Sequence, residues 1–418
     1  MNSRQRMEKA LRHEEPDRVP IDFGSTPVTG ISTSIVHKLR EYFGLDNSIL
    51  VKIIEPYQML GEITEDLMEK LGVDCVGLWS KKNVFGFKNE NWKPWELFDG
   101  TPVLVPEKFN TKVEKDKIIY QYPEGNTSVL PSARMPKNGY YFDAIIRQLP
   151  IDDNKLNVED NLEEFSIIND EEIEYIEEQV DYLYRYTSFA IVGNFGGTSF
   201  GDIALVPGLS LKNPQGIRDI QEWYISLLTR KKYIYEVFAK QCEIGLENLK
   251  KIYQAVSNKI SVVYISGTDF GTQRGLFISK DTYRELFKPF HKKINDWVHK
   301  NTKWKTFIHS CGAIEPLISQ FIDAGFDILN PTQLSAEGMN AVCLKEKYGD
   351  KIVFWGGGVD TQKTLPFGTS EEVRKQVEER LKIFNKGGGF VFNTTHNIQA
   401  KTPIENIISM LDVVKGHL

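Results

Sequence analysis

The feature that most constrains the fold is an alternation of short apolar runs with longer amphipathic segments. Eight apolar, β-branched runs end in polar or glycine-rich residues, as β-strands do, at residues 18–23, 73–78, 189–193, 261–266, 305–309, 326–330, 352–355 and 389–393. Amphipathic helical patterns fill most of the intervals, at residues 35–43, 57–71, 214–253, 280–299, 314–324 and 370–385. This alternation predicts parallel strands with helices outside the sheet, and eight strands are the number in a (β/α)8 barrel.

An open, doubly wound sheet is the competing architecture. It usually carries a glycine-rich phosphate-binding turn after its first strand. The first apolar run here ends instead in Asp-Phe-Gly-Ser at residues 22–25, which does not match that motif. We therefore predict an α/β fold, a (β/α)8 TIM barrel, as a single domain over residues 1–418.

One long segment, at about residues 80–172, interrupts the pattern between the second and third predicted strands. It is rich in Lys, Asn, Trp, Tyr and Pro, and its alternation of polar and apolar residues at 117–122 predicts a small hairpin. We interpret this segment as an insertion into the barrel. Its aromatic residues, including some of Trp79, Trp92 and Trp95, are expected to shape a substrate pocket.

The charge balance excludes some classes of function. The chain has 51 Lys and Arg against 57 Asp and Glu, a net charge of −6, and shows no basic stripe, so nucleic acid is not an expected partner. It has no apolar run of about 18 residues and no apolar leader at its start, so we expect a cytoplasmic protein without a membrane partner. The four cysteines lack paired spacing, as is usual in a reducing compartment; they are Cys75, Cys242, Cys311 and Cys343.

Polar residues that follow the predicted strands are the candidates for an active site, because the site of a (β/α)8 barrel forms at the carboxyl ends of its strands. We assign possible catalytic roles to Asp269, His309 and His396. Substrate-binding roles are assigned to the other polar residues near strand ends, namely Asp22, Asn194, Gln273, Arg274, Asn330, Gln333 and Trp355.

The sharpest of these features is the sequence Phe-Ile-His-Ser-Cys-Gly at residues 307–312. Side chains alternate along a strand, so His309 and Cys311 point toward one place. An imidazole and a thiolate are ligands that zinc prefers. His396, just past the last strand, offers a third ligand and would leave one position open for catalysis. In the alternative interpretation, both histidines hydrogen-bond substrate and Cys311 is merely packed.

Asp269 follows the strand at 261–266 in a polar loop. It could act as a general base, orient a ligand histidine or bind a substrate hydroxyl. It could also pair with Arg274, or simply cap its own loop.

The two ends of the chain resemble those of the uroporphyrinogen decarboxylase superfamily. Residues 4–20 (RQRMEKALRHEEPDRVP) are similar to its opening helix and first strand, and residues 397–406 (NIQAKTPIEN) to its last loop. The resemblance implies a (β/α)8 barrel that is either a porphyrinogen decarboxylase or a corrinoid-linked methyltransferase. The arginine-rich amino-terminal segment that holds substrate carboxylates in the decarboxylases has no equivalent here. The sequence His-Ser-Cys-Gly resembles instead the zinc-binding His-x-Cys of the methyltransferases.

The chain also departs from those methyltransferases. Where the coenzyme M enzymes have a cysteine as third zinc ligand, this chain has His396, and decarboxylases have a metal-free histidine near the same place. Glu55 is an alternative third ligand.

The resemblance thus implies a methyltransferase with Zn²⁺ and a corrinoid (cobalamin) methyl carrier on a partner protein, with the direction of transfer open. The neutral His396 in place of a cysteine makes the site one unit more positive, which favours an anionic oxygen leaving group and hence a methoxylated aromatic as methyl donor. The alternatives are a metal-free decarboxylase-like lyase and a non-catalytic binder of corrinoid or tetrapyrrole. A monomer and a homodimer are both open.

Overall fold

The computed structural model describes residues 1–46, 48–195 and 200–416. Its strands are β1 (Val51–Glu55), β2 (Leu60–Gly61), β3 (Cys75–Trp79), β4 (Lys93–Glu96), β5 (Pro102–Val105), β6 (Thr111–Val113), β7 (Ile119–Gln121), β8 (Ala133–Met135), β9 (Asp143–Ala144), β10 (Ala190–Asn194), β11 (Val262–Ser266), β12 (Lys305–His309), β13 (Ile328–Asn330), β14 (Val353–Trp355) and β15 (Phe390–Val391).

Its helices are α1 (Ser3–Leu11), α2 (Thr33–Tyr42), α3 (Glu65–Leu71), α4 (Asp170–Tyr186), α5 (Ile220–Thr229), α6 (Lys231–Val256), α7 (Lys280–Thr282), α8 (Lys288–Asn301), α9 (Glu315–Asp323), α10 (Ala341–Tyr348), α11 (Thr364–Phe367), α12 (Ser370–Phe384) and α13 (Ile404–Gly416). A π-helical turn, Tyr283–Phe287, joins α7 to α8. None of the helices in the described ranges combines the length and the apolar character needed to cross a membrane.

Seven parallel strands form the central sheet, in the order β15-β14-β13-β12-β11-β10-β3. Each is one of the predicted strands, shifted at its ends by no more than two residues, and the strand predicted at 305–309 coincides with β12. The fold class is therefore confirmed: this is an α/β, TIM-barrel-like fold. Inside the barrel, small and branched residues of the strands pack with Trp355 and with Met7 and Leu11 of α1. A larger apolar layer lies between the sheet and the surrounding helices.

The segment predicted as the first strand, residues 18–23, lies between the two edges of this sheet. Ile21 forms a parallel bridge with Phe392, after β15, and its carbonyl accepts a hydrogen bond of 2.8 Å from the amide of Asp74, before β3. The Asp74 carboxylate is fully buried and pairs with Arg6 and Arg18, each at 2.6 Å. Residues 18–23 thus link the two edge strands of the sheet, β15 and β3, through ion pairs and backbone contacts. The predicted first strand is present only as the single bridge at Ile21.

Two helix predictions are wrong in their bounds. The helix predicted over 57–71 is helical only in α3, because Leu60–Gly61 pair antiparallel with β1 as β2. Gly61 allows this strand to lie close to α2, since a Cβ there would be 3.1 Å from the Cα of Thr33. The prediction over 214–253 divides into α5 and α6 at Arg230, whose backbone is not helical (φ −126°, ψ 40°).

The insertion lies between the second and third barrel strands, as predicted, and contains more structure than the single hairpin expected from residues 117–122. One four-stranded sheet has the order β2-β1-β5-β4, and a second, antiparallel, has the order β6-β7-β8-β9. Between them lies a separate apolar core that includes Phe85, Phe87 and Phe142, together with Ile53 from β1 and Leu209. Residues outside 80–172 therefore complete the insertion's core. The assignment of residues 1–418 to one domain stays a prediction.

Candidate metal centre at the carboxyl ends of the strands

His309 is the last residue of β12, and Cys311 follows it by two positions. Ser310, between them, points elsewhere and accepts a hydrogen bond of 2.9 Å from the amide of Phe270. The Sγ of Cys311 therefore lies 3.4 Å from the Nε2 of His309. Two ligands of one tetrahedral zinc ion, at the usual Zn–N and Zn–S distances, are about 3.5 Å apart. The strand alternation thus places these two atoms at the separation that a shared metal ion requires.

His396 joins this pair from the loop after β15. Its ring centroid lies 5.4 Å from that of His309, and the ligand atoms of His309, Cys311 and His396 are all within 4.8 Å of one another. The loop is held by Thr395, whose hydroxyl donates to the carbonyl of Val359 at 3.0 Å, and by Thr394, whose hydroxyl donates to the carbonyl of His396 itself. We call His309, Cys311 and His396 the metal triad. Two imidazoles and a thiol are a donor set that fits zinc.

Glu55, the alternative third ligand, is not part of this group. Its carboxylate accepts hydrogen bonds from the backbone amides of Tyr57 (3.1 Å) and Gln58 (2.7 Å). These two bonds hold it at the end of β1, where it lines a cavity beside the barrel.

A chain of buried hydrogen bonds fixes the orientation of His309. The Nδ1 of His309 lies 2.6 Å from the Oδ1 of Asn330, and the Nδ2 of Asn330 donates to the carbonyl of Trp355 at 2.9 Å. Because the carbonyl of Trp355 can only accept, the amide of Asn330 presents its oxygen to the imidazole. The proton of neutral His309 is therefore on Nδ1, which leaves the lone pair of Nε2 facing Cys311.

Asp22 extends this series of hydrogen bonds through Trp355. One of its carboxylate oxygens accepts a hydrogen bond of 2.9 Å from the indole Nε1 of Trp355, and the other accepts one of 3.0 Å from the amide of Ser25. Asp22, Asn330 and Trp355 are all fully buried. The structure therefore places these three beneath the metal triad as parts of its support, and their assignment to substrate binding stays a prediction.

Asp269 lies beside the triad in the loop after β11. Its Oδ1 accepts a hydrogen bond of 2.6 Å from the amide of Cys311 and is 3.7 Å from the Nε2 of His309. The hydroxyl of Tyr224 donates to its carbonyl at 2.9 Å. Arg274 is exposed, and no ion pair in the described part of the chain joins it to Asp269. Asp269 is thus placed to position the two ligands on β12 and the loop that follows.

Burial sets the protonation of these groups. It lowers the pKa of His309 to about 4, and burial together with the nearby His309 lowers the pKa of His396 to about 4. Burial raises the pKa of the Cys311 thiol well above its usual value, and the charge of Asp269 adds to this effect. Burial also raises the pKa of Asp269. At neutral pH both imidazoles can bind a metal ion without losing a proton, whereas the thiol must lose one.

A cavity of about 240 Å³ lies at the same end of the barrel, between the strand ends and the insertion. Trp79 and Asn194, which end β3 and β10, line it together with Tyr264 of β11. Burial, followed by the nearby Asp202, Asp269 and Cys311, raises the pKa of Tyr264. The cavity and the metal triad therefore lie at the same end of the barrel, and none of the triad residues is among the described residues that line the cavity.

The remaining predicted site residues occupy different positions. Gln333 accepts a hydrogen bond of 2.7 Å from the amide of Gly312 and so holds the turn after Cys311. Gln273 is exposed, and its amide nitrogen lies 3.4 Å from the side-chain oxygen of Gln362. Trp92 borders a neighbouring cavity, and Trp95 packs against the core of the insertion.

Sequence reasoning missed Asp202, which also lines the cavity. Burial, with a smaller contribution from Asp269, raises the pKa of Asp202 to about 7. Burial likewise raises the pKa of Glu55 to about 7. Asp202 lies eight residues beyond Asn194, in an irregular loop, so no spacing relative to the strand pointed to it.

The comparisons with known proteins agree with this architecture. The family model described as uroporphyrinogen decarboxylase (URO-D) matches residues 154–417, which is more than half of the chain. The chain therefore belongs to the uroporphyrinogen decarboxylase family. It is also 34% identical, over 70 residues, to a uroporphyrinogen decarboxylase of Psychromonas ingrahamii, an alignment that covers 17% of this chain and 19% of that protein.

Among solved structures, a methyltransferase from Methanosarcina mazei is similar to this chain, with a TM-score of 0.54 and 15% identity. The superposition covers 100% of this chain and 99% of that one. At this identity the likeness supports the fold, over the whole length including the insertion.

Proposed function

We propose that the protein is a zinc-dependent methyltransferase that transfers a methyl group from a methoxylated aromatic compound to a corrinoid, which is carried by a partner protein. The observation that carries the proposal is the convergence of the three ligand atoms of His309, Cys311 and His396 within 4.8 Å. Two imidazoles and one thiolate leave an open position for a substrate oxygen, as in catalytic zinc sites. The similar Methanosarcina mazei structure is itself a methyltransferase.

The residues of the site would have distinct roles in this reaction. His309, Cys311 and His396 would hold the zinc ion, which when bound acts as a Lewis acid on the ether oxygen that loses its methyl group. Asn330 keeps the Nε2 of His309 available as a ligand, through the 2.6 Å contact at Nδ1. Asp269 positions Cys311 through its backbone amide, and its carboxyl is near enough to act as a proton shuttle.

The ligand set favours oxygen over sulfur as the atom that loses the methyl group. A neutral imidazole at His396, in place of a second thiolate, leaves the site one charge more positive. A more positive site stabilises an anionic phenolate that leaves the methyl group. This is the reason for proposing O-demethylation within the methyltransferase class.

The direct test is methyl transfer from methoxylated phenols to free cob(I)alamin, followed by ultraviolet-visible spectroscopy, together with the zinc content of the purified protein. We expect about one zinc per chain and conversion of cob(I)alamin to methylcobalamin. His309→Ala and Cys311→Ala should abolish both. Cys343→Ala, which changes an exposed cysteine far from the triad in sequence, is the matched control and should change neither.

The same measurements separate the alternatives. A metal-free protein that decarboxylates a porphyrinogen would support the lyase alternative. A protein that binds corrinoid or tetrapyrrole without turnover of any substrate in a broad panel would support the non-catalytic alternative. Either result would exclude the proposed methyl transfer.

A further inference from the structure

The cavity at the same end of the barrel as the metal triad is lined by more acidic than basic groups. Among the described residues that line it, Glu55 and Asp202 carry carboxyl groups, and the one cation is Lys82, whose side chain is exposed. The other lining residues are apolar, aromatic or uncharged and polar. A ligand in this cavity therefore meets carboxyl groups and, among the described lining residues, no buried cation.

The two lining carboxyls are held in place by backbone groups. Glu55 is 4% exposed, and its oxygens accept hydrogen bonds from the amides of Tyr57 and Gln58. Asp202 accepts a hydrogen bond of 2.9 Å from the amide of Ala204. Within the described ranges, neither carboxyl forms an ion pair with a Lys or Arg side chain. Their charge or their proton is therefore available to a ligand.

Asn194 offers a further group to a ligand. Its Nδ2 donates to the carbonyl of Ser25 at 2.8 Å, whereas its Oδ1 is buried without a partner in the described part of the chain. Buried polar atoms are rarely left without a hydrogen bond. This oxygen can accept a hydrogen bond from a hydroxyl group of a molecule in the cavity.

We propose that the cavity selects a methyl donor that lacks a carboxylate, namely a neutral methoxylated phenol whose free hydroxyl binds to the carboxyl and amide groups of Glu55, Asp202 and Asn194. This inference rests on the proposed function. A phenol hydroxyl both donates and accepts hydrogen bonds, so it pairs with a carboxyl in either protonation state. A carboxylate on the ring would be buried beside like charges with no cation to compensate for its lost hydration.

The size of the cavity agrees with this class of ligand. About 240 Å³, with Tyr57, Trp79 and Tyr264 among its walls, suits one substituted aromatic ring. A porphyrinogen has four linked rings and several carboxylates, so it conflicts with the charge of the cavity.

Isothermal titration of the zinc-loaded protein tests the proposal with two ligands of nearly the same shape. These are 4-hydroxy-3-methoxybenzyl alcohol and 4-hydroxy-3-methoxybenzoate. The first has a neutral hydroxymethyl group where the second has a carboxylate. We expect the alcohol to bind at least about tenfold more tightly than the benzoate. Equal or tighter binding of the benzoate would overturn the proposal, as would binding of neither ligand.

Variants then show whether the two carboxyls cause the selectivity. Glu55→Gln and Asp202→Asn each remove a carboxyl group that can carry a negative charge, at nearly constant volume. Each should therefore reduce the ratio of the two dissociation constants, mainly by making the benzoate bind more tightly. Glu243→Gln, on the exposed face of α6, is the matched control and should leave the ratio of the two dissociation constants unchanged. An unchanged ratio in both cavity variants, with folding confirmed by circular dichroism, would contradict the assignment.

The binding assay does not depend on turnover. The proposed methyl transfer and the proposed selectivity of the cavity can therefore be refuted independently. Selective binding without methyl transfer from any donor would overturn the proposed function and support the selectivity of the cavity. Methyl transfer with no preference between the two ligands would overturn the selectivity alone.

Discussion

The Nδ1 of His309 and the Oδ1 of Asn330 lie 2.6 Å apart in a fully buried contact between the ends of β12 and β13. The amide of Asn330 is itself oriented by the carbonyl of Trp355, so the contact fixes which ring nitrogen of His309 carries the proton. The metal triad thus depends on residues that do not themselves offer a ligand atom to it.

The first prediction concerns this contact. Asn330→Ala should weaken zinc binding by about 10- to 100-fold, because the tautomer and the orientation of His309 are no longer fixed. Competition with a chromogenic chelator measures the affinity. Asn340→Ala removes the amino-terminal cap of α10 and should cost about 1 kcal/mol of stability without changing zinc affinity. Equal zinc affinity in the wild-type protein and Asn330→Ala would refute the supporting role of Asn330.

The second prediction concerns pH. Since the pKa values of His309 and His396 are lowered to about 4, both imidazoles are neutral above about pH 5, and they release no proton when zinc binds. The thiol of Cys311 has a raised pKa and must lose its proton. Zinc affinity should therefore rise about tenfold per pH unit between pH 6 and 8, as measured by chelator competition at several pH values.

A Cys311→His variant provides the control for the pH dependence. It keeps three ligands and has no thiol proton to displace, so its zinc affinity should change little over the same range. A slope as steep as that of the wild-type protein would show that another group releases the proton.

The third prediction concerns the closure of the barrel. Asp74→Ala should reduce the free energy of unfolding by about 3–5 kcal/mol, because Arg18 would keep a largely buried charge without a carboxylate partner and Arg6 would keep only its pair with Asp17. Denaturation in urea measures the change. The matched control, Glu62→Ala, breaks a half-exposed pair with Lys52 and should cost less than about 1 kcal/mol. Similar losses in the two variants would contradict a special role for Asp74.

The fourth prediction concerns the support beneath the triad. Trp355→Phe keeps an aromatic ring in the barrel interior and removes the indole donor to Asp22, which leaves a buried carboxyl oxygen without that hydrogen bond. We expect a loss of about 1–3 kcal/mol in the free energy of unfolding. Trp92→Phe, at a partly exposed residue of the insertion, should change stability by less than about 1 kcal/mol. If Trp355→Phe also changed the free energy of unfolding by less than about 1 kcal/mol, the hydrogen bond to Asp22 would not contribute to stability as predicted.

Much of the barrel could be read from local patterns. The run at 305–309 predicted β12 without error, because Thr306, Phe307 and Ile308 are β-branched or aromatic residues that favour a strand, and polar His309 ends the run. The segment at 57–71 failed for the opposite reason. Its helical periodicity is real in α3, but Leu60 and Gly61 gain more from pairing with β1, a contact that periodicity does not report.

The candidate site divides in the same way. The local sequence was enough to predict that His309 and Cys311 point toward one place, since side-chain alternation along a strand is a property of the local backbone. It also indicated, through the order of the strands, that His396 would be at the same end of the barrel. The contacts of Asn330, Asp269 and Asp202 were decided only by the tertiary structure.

The physical reason is distance along the chain. Asn330 is 21 residues from His309, and Trp355 is 333 residues from Asp22, so which side chains meet depends on how neighbouring strands align in the sheet. The protonation of these groups depends in turn on burial, which exists only once the barrel and the insertion have packed together. Local sequence therefore specified two of the three ligands as a pair, and the folded structure supplied the third ligand's position, the buried support and the acidic cavity.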